Sequence, residues 1–409
     1  VWKKDSMQRD FVGVACEIHG ASSWWPCKDH LSDEPDSMKM TYTVPHGYDC
    51  ISNGVNTRRG IDTTQSDDLP NNVFEWKVSY PINTYNVSFY LGKFEEIKGH
   101  YISNGDTLKT SFYALDYNMD KAKKQFEQVN PMLRIYEDLF GKFPFWNDGY
   151  KLIEVPYLGM EHQSAVTYGN GFSIYNGLRS DSWPMYGVMD PLIIHETGHE
   201  WFGNSVTAID PTHIWIHEGL QVYSEALYFE DKFNSYPVGV DYMKSIRSRI
   251  QNKIPIVGPE DENYWALNGD TYMKGAWVMH TLRSVINDDP TWFAILKEFV
   301  VENAKSHVHT EDFFNKVKEK TGSDYSYFSE QYFYTPNQPE LEYYQTDSSF
   351  YYRWHNVNDN FIMPMGLLVN GIEKRVLPSQ EFQSFDIKRH ATIEVMDWKF
   401  YVKPVKYIK

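Results

Sequence analysis

The stretch Pro191-Leu192-Ile193-Ile194-His195-Glu196-Thr197-Gly198-His199-Glu200-Trp201-Phe202-Gly203 decides how this chain is read. Its two histidines stand four residues apart. A helix turns once every 3.6 residues, so both imidazoles fall on one face and can meet a single zinc at about 2.0–2.1 Å. Glu196 follows the first histidine and projects beside such a metal, where a carboxylate can take a proton from coordinated water. The plainer alternative is a helix that carries two surface histidines by chance.

A catalytic zinc needs a third protein ligand and an open fourth position. Glu218, in Trp215-Ile216-His217-Glu218-Gly219-Leu220, follows His199 by 19 residues. That leaves room for the first helix to end, a loop to turn through Asp210-Pro211 and a second helix to return. His213 and His217 are rivals for the third position, but a carboxylate on the returning helix fits better. Two histidines and a glutamate form a hydrolytic ligand set, whereas closed structural sites are rich in cysteine. Cys16, Cys27 and Cys50 all lie in the first 50 residues, far from the motif, in neither an even framework nor a metal-ligand spacing. One Zn2+ per chain is expected, bound by His195, His199 and Glu218. Zinc brings the pKa of its water toward about 7 and polarises the substrate carbonyl, so Glu196 becomes the general base of an amide hydrolysis without a covalent intermediate. A further donor must face the oxyanion that forms.

Outward from the motif the pattern changes twice. Residues 1–105 alternate polar and apolar positions in short segments, as in Val73-Phe74-Glu75-Trp76-Lys77-Val78, and predict a β-rich N-terminal domain. From about residue 118 the spacing becomes helical. Phe126, Val129, Leu133, Tyr136 and Phe140 share a stripe that Gly141 stops, and an α+β catalytic domain is assigned to 106–335. Thr335-Pro336-Asn337-Gln338-Pro339 cannot continue a helix, and the short strands after it predict a small β-sandwich over 336–409. The fold class is therefore multidomain α+β.

Composition removes whole classes of function. The net charge of −16 opposes nucleic acid and anionic membrane alike, because both carry the same sign. No apolar run of about 18 residues is present to span a bilayer, so a soluble protein is expected and no membrane insertion. The 30 tyrosines and 13 tryptophans fit aromatic-rich β-structure. The compartment is open: the sequence starts on Val1-Trp2-Lys3-Lys4 without Met or signal peptide, so its native N-terminus is expected to lie upstream, which leaves a periplasmic or secreted location possible.

With these residues in hand, the chain resembles the gluzincin zinc aminopeptidases, the family of aminopeptidase N and leukotriene hydrolase. The segments His195 to Thr207 and Trp215 to Gly219 match that family's zinc signature almost position by position. Thermolysin-like endopeptidases share the ligands but not the Trp-Phe-Gly-Asn-x-Val-Thr continuation. The resemblance implies a thermolysin-like catalytic domain and a peptide substrate with a free N-terminus; a monomer is expected. It assigns three further residues. Leu158-Gly159-Met160-Glu161-His162 is similar to the family's Gly-x-Met-Glu-Asn, whose glutamate binds the α-amine, so that role falls to Glu161. His162 departs from the family's Asn. Tyr272-Met273-Lys274-Gly275 looks like the Tyr-x-Lys-Gly segment, whose tyrosine donates to the oxyanion. Glu17, ten residues before Cys27 in Trp24-Trp25-Pro26-Cys27-Lys28-Asp29, occupies the place of a second amine-binding residue. The family's β-domain has more residues ahead of that place, so this chain is expected to begin inside it. The other readings are a zinc endopeptidase, in which Glu161 is an ordinary acid, and an inactive homologue that only binds peptide.

Overall fold

A computed structural model of the chain describes residues 1–62, 69–172, 189–262 and 269–408. The chain is mixed α/β and separates into two compact units. The first is Val1–Asp210 with Val300–His307, and the second is Pro211–Phe299 with Val308–Lys409.

Among the described residues, three sheets of three or more strands lie in the first unit. Trp2–Lys4, Asp10–Gly13, Phe89–Gly92 and Asp49–Ser52 form one, and Met38–Val44, Asn71–Val78 and Val55–Asp62 form another. The third sheet carries the site. Its order is Gly159–Met160, Val166–Tyr168, Tyr150–Glu154, Asp106–Leu115, Phe94–Ser103, with Tyr150–Glu154 parallel to both neighbours. Every residue of Tyr150–Glu154 is buried, as a central parallel strand covered on both faces must be. Ile153 and Val155 extend the core that Phe11, Trp76 and Tyr90 build under the N-terminal sheets. Phe94–Ser103 and Asp106–Leu115 are one hairpin, and the expected boundary at residue 105 falls on its turn. The helical stripe that begins at Phe126 is divided between two helices, Met119–Phe126 and Val129–Phe140. Pro131 lacks an N–H and fits only the first turn of a helix, which accounts for the restart. Gly141, at φ 95°, ends the second helix with its N–H on the Glu137 carbonyl.

In the second unit the helix Trp215–Phe233 is buried continuously from Trp215 to Phe229, which makes it central rather than amphipathic. Asp270–Ile286 packs against it. After Thr335-Pro336-Asn337-Gln338-Pro339 the chain forms a four-stranded sheet, Gln383–Asp386, Ser349–His355, Glu340–Gln345 and Lys403–Lys406, and a three-stranded antiparallel one, Ile372–Val376, Met365–Val369 and Ile393–Val395. Among the described residues no helix is long and apolar enough to cross a membrane.

Candidate active site

The motif helix, Pro191–Gly198, is fixed from its first residue. Asp190 caps it by accepting the Leu192 N–H, with Pro191 in the first turn, where its missing donor costs nothing. The cap is buried and held by Gln125, the Tyr168 hydroxyl and Asn170 at 2.7, 2.8 and 3.0 Å. Farther along, the Tyr136 hydroxyl donates to the Ile194 carbonyl, and the hydroxyls of Tyr150 and Thr197 are 2.9 Å apart. Thr197 lies between the two histidines, so these contacts grip the motif itself.

The rings of His195 and His199 bring their Nε2 atoms to 3.3 Å from one another. Two nitrogens held about 2.0–2.1 Å from one zinc at a tetrahedral angle stand about 3.3–3.4 Å apart, so the pair fits that ion. The tautomer is set as well. His199 Nδ1 is 2.9 Å from the Phe202 carbonyl, which can only accept, so Nδ1 carries the proton and Nε2 presents its lone pair.

Two carboxylates join them. Oxygens of Glu161 and Glu196 and a ring nitrogen of His199 all lie within 4.8 Å of one another. Glu196 is 8% exposed and rests against Gly159, where a Cβ would come to 2.9 Å from its Oε1. Glu161 is buried, with Oε2 at 3.5 Å from His199 Nε2 and Oε1 accepting the Tyr85 hydroxyl at 2.5 Å. Burial first, and then the charge of Glu17, push the Glu161 carboxyl up to about 8, against the Tyr85 hydrogen bond. Negative charge gathered in a buried place calls for a cation, as a metal or an ammonium group provides.

The turn after Glu161 is held by a polar network. Asn204 donates to the Glu161 carbonyl at 2.7 Å and accepts from Asn86, while Glu200 accepts the Ser164 N–H. Burial lifts the Glu200 carboxyl to about 8. Neither Tyr85 nor the role of Asn204 was readable beforehand. Asn204 lies inside the quoted signature, whereas Tyr85 carries no local signal, since its contact bridges 76 residues.

In the second unit, Glu218 sits in the first turn of Trp215–Phe233 and is 2% exposed. Tyr272 is in the first turn of Asp270–Ile286 and partly exposed. Gly219 and Gly275 bring these two helices together: a Cβ on Gly219 would meet the Gly275 Cα at 3.1 Å. His213 is not available as a ligand, because Thr310 Oγ1 and Glu260 Oε1 each take one of its ring nitrogens at 2.9 Å.

The model of the peptidase family M1 domain matches residues 124–332. Aminopeptidase M1-D of Oryza sativa subsp. japonica is 25% identical over 312 residues, 73% of this chain and 34% of its own length. Aminopeptidase N of Streptomyces lividans is 23% identical over 336 residues, 76% of this chain and 37% of its own. The chain therefore spans little more than a third of the length of these curated relatives. Among solved structures, a two-domain M1 zinc metallopeptidase mutant bound to L-tryptophan shares the fold at a TM-score of 0.64 and 20% identity, covering 79% of this chain and 68% of that one.

Proposed function

This chain belongs to peptidase family M1, and we propose that it is a zinc aminopeptidase that removes residues from the free N-terminus of peptides. The observation that carries the reading is the buried carboxylate of Glu161, 3.5 Å from the Nε2 that His199 presents to a metal. The names of the two relatives above, Aminopeptidase M1-D and Aminopeptidase N, support it.

In this proposal His195, His199 and Glu218 hold one zinc, with Phe202 fixing the His199 tautomer. Zinc, when bound, supplies Lewis-acid polarisation of the scissile carbonyl and acidification of water. Glu196 takes the proton from the attacking water and returns it to the leaving amine. Tyr272 donates to the oxygen on which charge develops. Glu161 and Glu17 receive the α-ammonium, which places the first peptide bond at the metal and excludes a chain that continues upstream.

The test compares free and N-acetylated forms of one peptide. The acetylated form is expected to be a poor substrate, and Glu161→Ala should cost the free form about 2–5 kcal/mol of transition-state binding while zinc stays bound. It should cost the acetylated form little, since that substrate never used the contact. Equal losses on both substrates would make Glu161 a structural acid and leave a zinc endopeptidase in its place.

A further inference from the structure

His162 stands where the resembled signature has asparagine, and the chemistry described so far gives it no part. Its imidazole is fully buried. Nε2 is 3.1 Å from the Cys16 carbonyl oxygen, an obligate acceptor, so Nε2 carries the proton. Nδ1 is then the acceptor and the Tyr90 hydroxyl, 2.5 Å away, donates to it. One neutral ring joins three stretches of chain: the strand Phe89–Gly92, the turn that follows Glu161, and the segment that leads into Glu17.

That last segment needs a hold. Ile18 has φ 61°, a left-handed conformation that a β-branched residue enters only at a cost. The His19 N–H closes a three-residue turn onto the Glu17 carbonyl at 2.5 Å. Ile18 itself is 1% exposed, and the Gly20 N–H is tied to Asp29 Oδ2 at 3.0 Å. Glu17 is therefore bracketed, by the hydrogen bond to Cys16 on one side and the buried Ile18 on the other. Left to itself, a turn with a β-branched residue in the left-handed region would relax toward an extended conformation.

We propose that His162 is a positioning residue that pins the Cys16–Glu17 segment to the Glu161 turn, so that two carboxylates keep a fixed spacing for the substrate α-ammonium. The proposal rests on the aminopeptidase reading, in which Glu161 and Glu17 bind that group. An ammonium has three donors and no acceptor, so two fixed carboxylates define its direction as well as its charge.

His162→Asn keeps an acceptor near Tyr90 but is too short to reach Cys16. His162→Gln places an amide N–H at the reach of Nε2 and serves as the rescue. With free-amine aminoacyl-arylamides, the Asn variant should raise KM about five- to tenfold, the worth of a lost buried hydrogen bond, with kcat unchanged. The Gln variant should restore KM. In a Glu17→Ala background the Asn substitution should add nothing further. Calorimetry with leucine amide on the metal-free protein should show the same weakening in the Asn variant, which separates amine binding from turnover. An unchanged KM and affinity in the Asn variant, or an additive loss in the Glu17→Ala background, would overturn the proposal. Should the Asn variant not fold, the Gln variant decides alone, because a raised KM there also overturns it. If the wild type cleaves acetylated and free peptides equally, the aminopeptidase reading fails, and the calorimetric comparison still reports on the clamp.

Discussion

A glycine governs where the proposed general base stands. A Cβ at residue 159 would lie 2.9 Å from Glu196 Oε1 and 3.1 Å from the Thr167 carbonyl oxygen, so the position demands space. The end of a glutamate side chain can give way by a few tenths of an ångström at little cost to stability. Its aim at a water molecule cannot. Misplacement by about 1 Å can cost 10²-fold in rate, and loss of a general base costs at least about as much. Glu196→Gln should therefore keep its zinc and lose turnover by about 10²-fold or more. Gly159→Ala should fall between that variant and the wild type in kcat with zinc content unchanged, and should melt somewhat lower because the Thr167 carbonyl must give way. Wild-type kcat in Gly159→Ala would mean that this wall does not aim Glu196. The zinc motif was legible because helical spacing encodes it within five residues, His195 to His199. The hydroxyl of Tyr85 on Glu161 was not, because nothing local to either residue announces a contact between positions 76 residues apart.

Helix ends were also written in the sequence, since Asp190-Pro191 and Gly141 act through their own backbone. Helix crossings were not. Trp215–Phe233 and Asp270–Ile286 meet where Gly219 faces Gly275, and a Cβ on Gly275 would stand 3.0 Å from the Gly219 Cα. Both glycines follow proposed functional side chains, Glu218 directly and Tyr272 by three residues. The crossing thus fixes the spacing of the two helix starts that carry the proposed ligand Glu218 and the proposed oxyanion donor Tyr272. The atoms in the way are backbone, which cannot swing aside as a carboxylate can. Gly275→Ala should force the helices apart and cost about 1–3 kcal/mol, the range for overpacking, seen as a lower urea midpoint. Because the helix starts move, kcat should fall as well, in contrast to an alanine placed on the same helix away from the crossing. A stable variant with full activity would show that the crossing tolerates a methyl group.

At the scale of the molecule, local patterns gave three consecutive segments, whereas contacts gather the chain into two units that interleave along it. The stretch Val300–His307 belongs with the first unit, since the N–H groups of Lys305 and Ser306 both donate to the Ser205 carbonyl. Such a return has no periodicity to betray it. Burial also changes how the whole fold responds to acid, and His280 is the clearest case. It is 2% exposed and surrounded by Trp277 and Tyr236, with Nε2 donating to the Trp398 carbonyl at 3.1 Å. Desolvation holds its pKa down to about 4, from 6.5, against the pull of that hydrogen bond. Between those two values the unfolded chain binds a proton that the folded chain refuses. The stability is therefore complete above pH 6.5 and is lost as pH falls toward 4, by roughly 3 kcal/mol for this one ring. Glu154 slopes the other way: burial raises its carboxyl to about 7, so the folded chain holds that proton more tightly and loses stability as pH rises from 4.5. A single unfolding curve mixes the two, so the prediction is a difference. His280→Gln keeps a donor for Trp398 and removes the titration, but gives up ring contacts. It should be less stable than the wild type at neutral pH and should lose less on acidification, so that the two urea midpoints converge as pH approaches 4. Glu154 is common to both proteins and cancels. Midpoints that run parallel from pH 7 downward would mean that the fold does not shift the titration of His280.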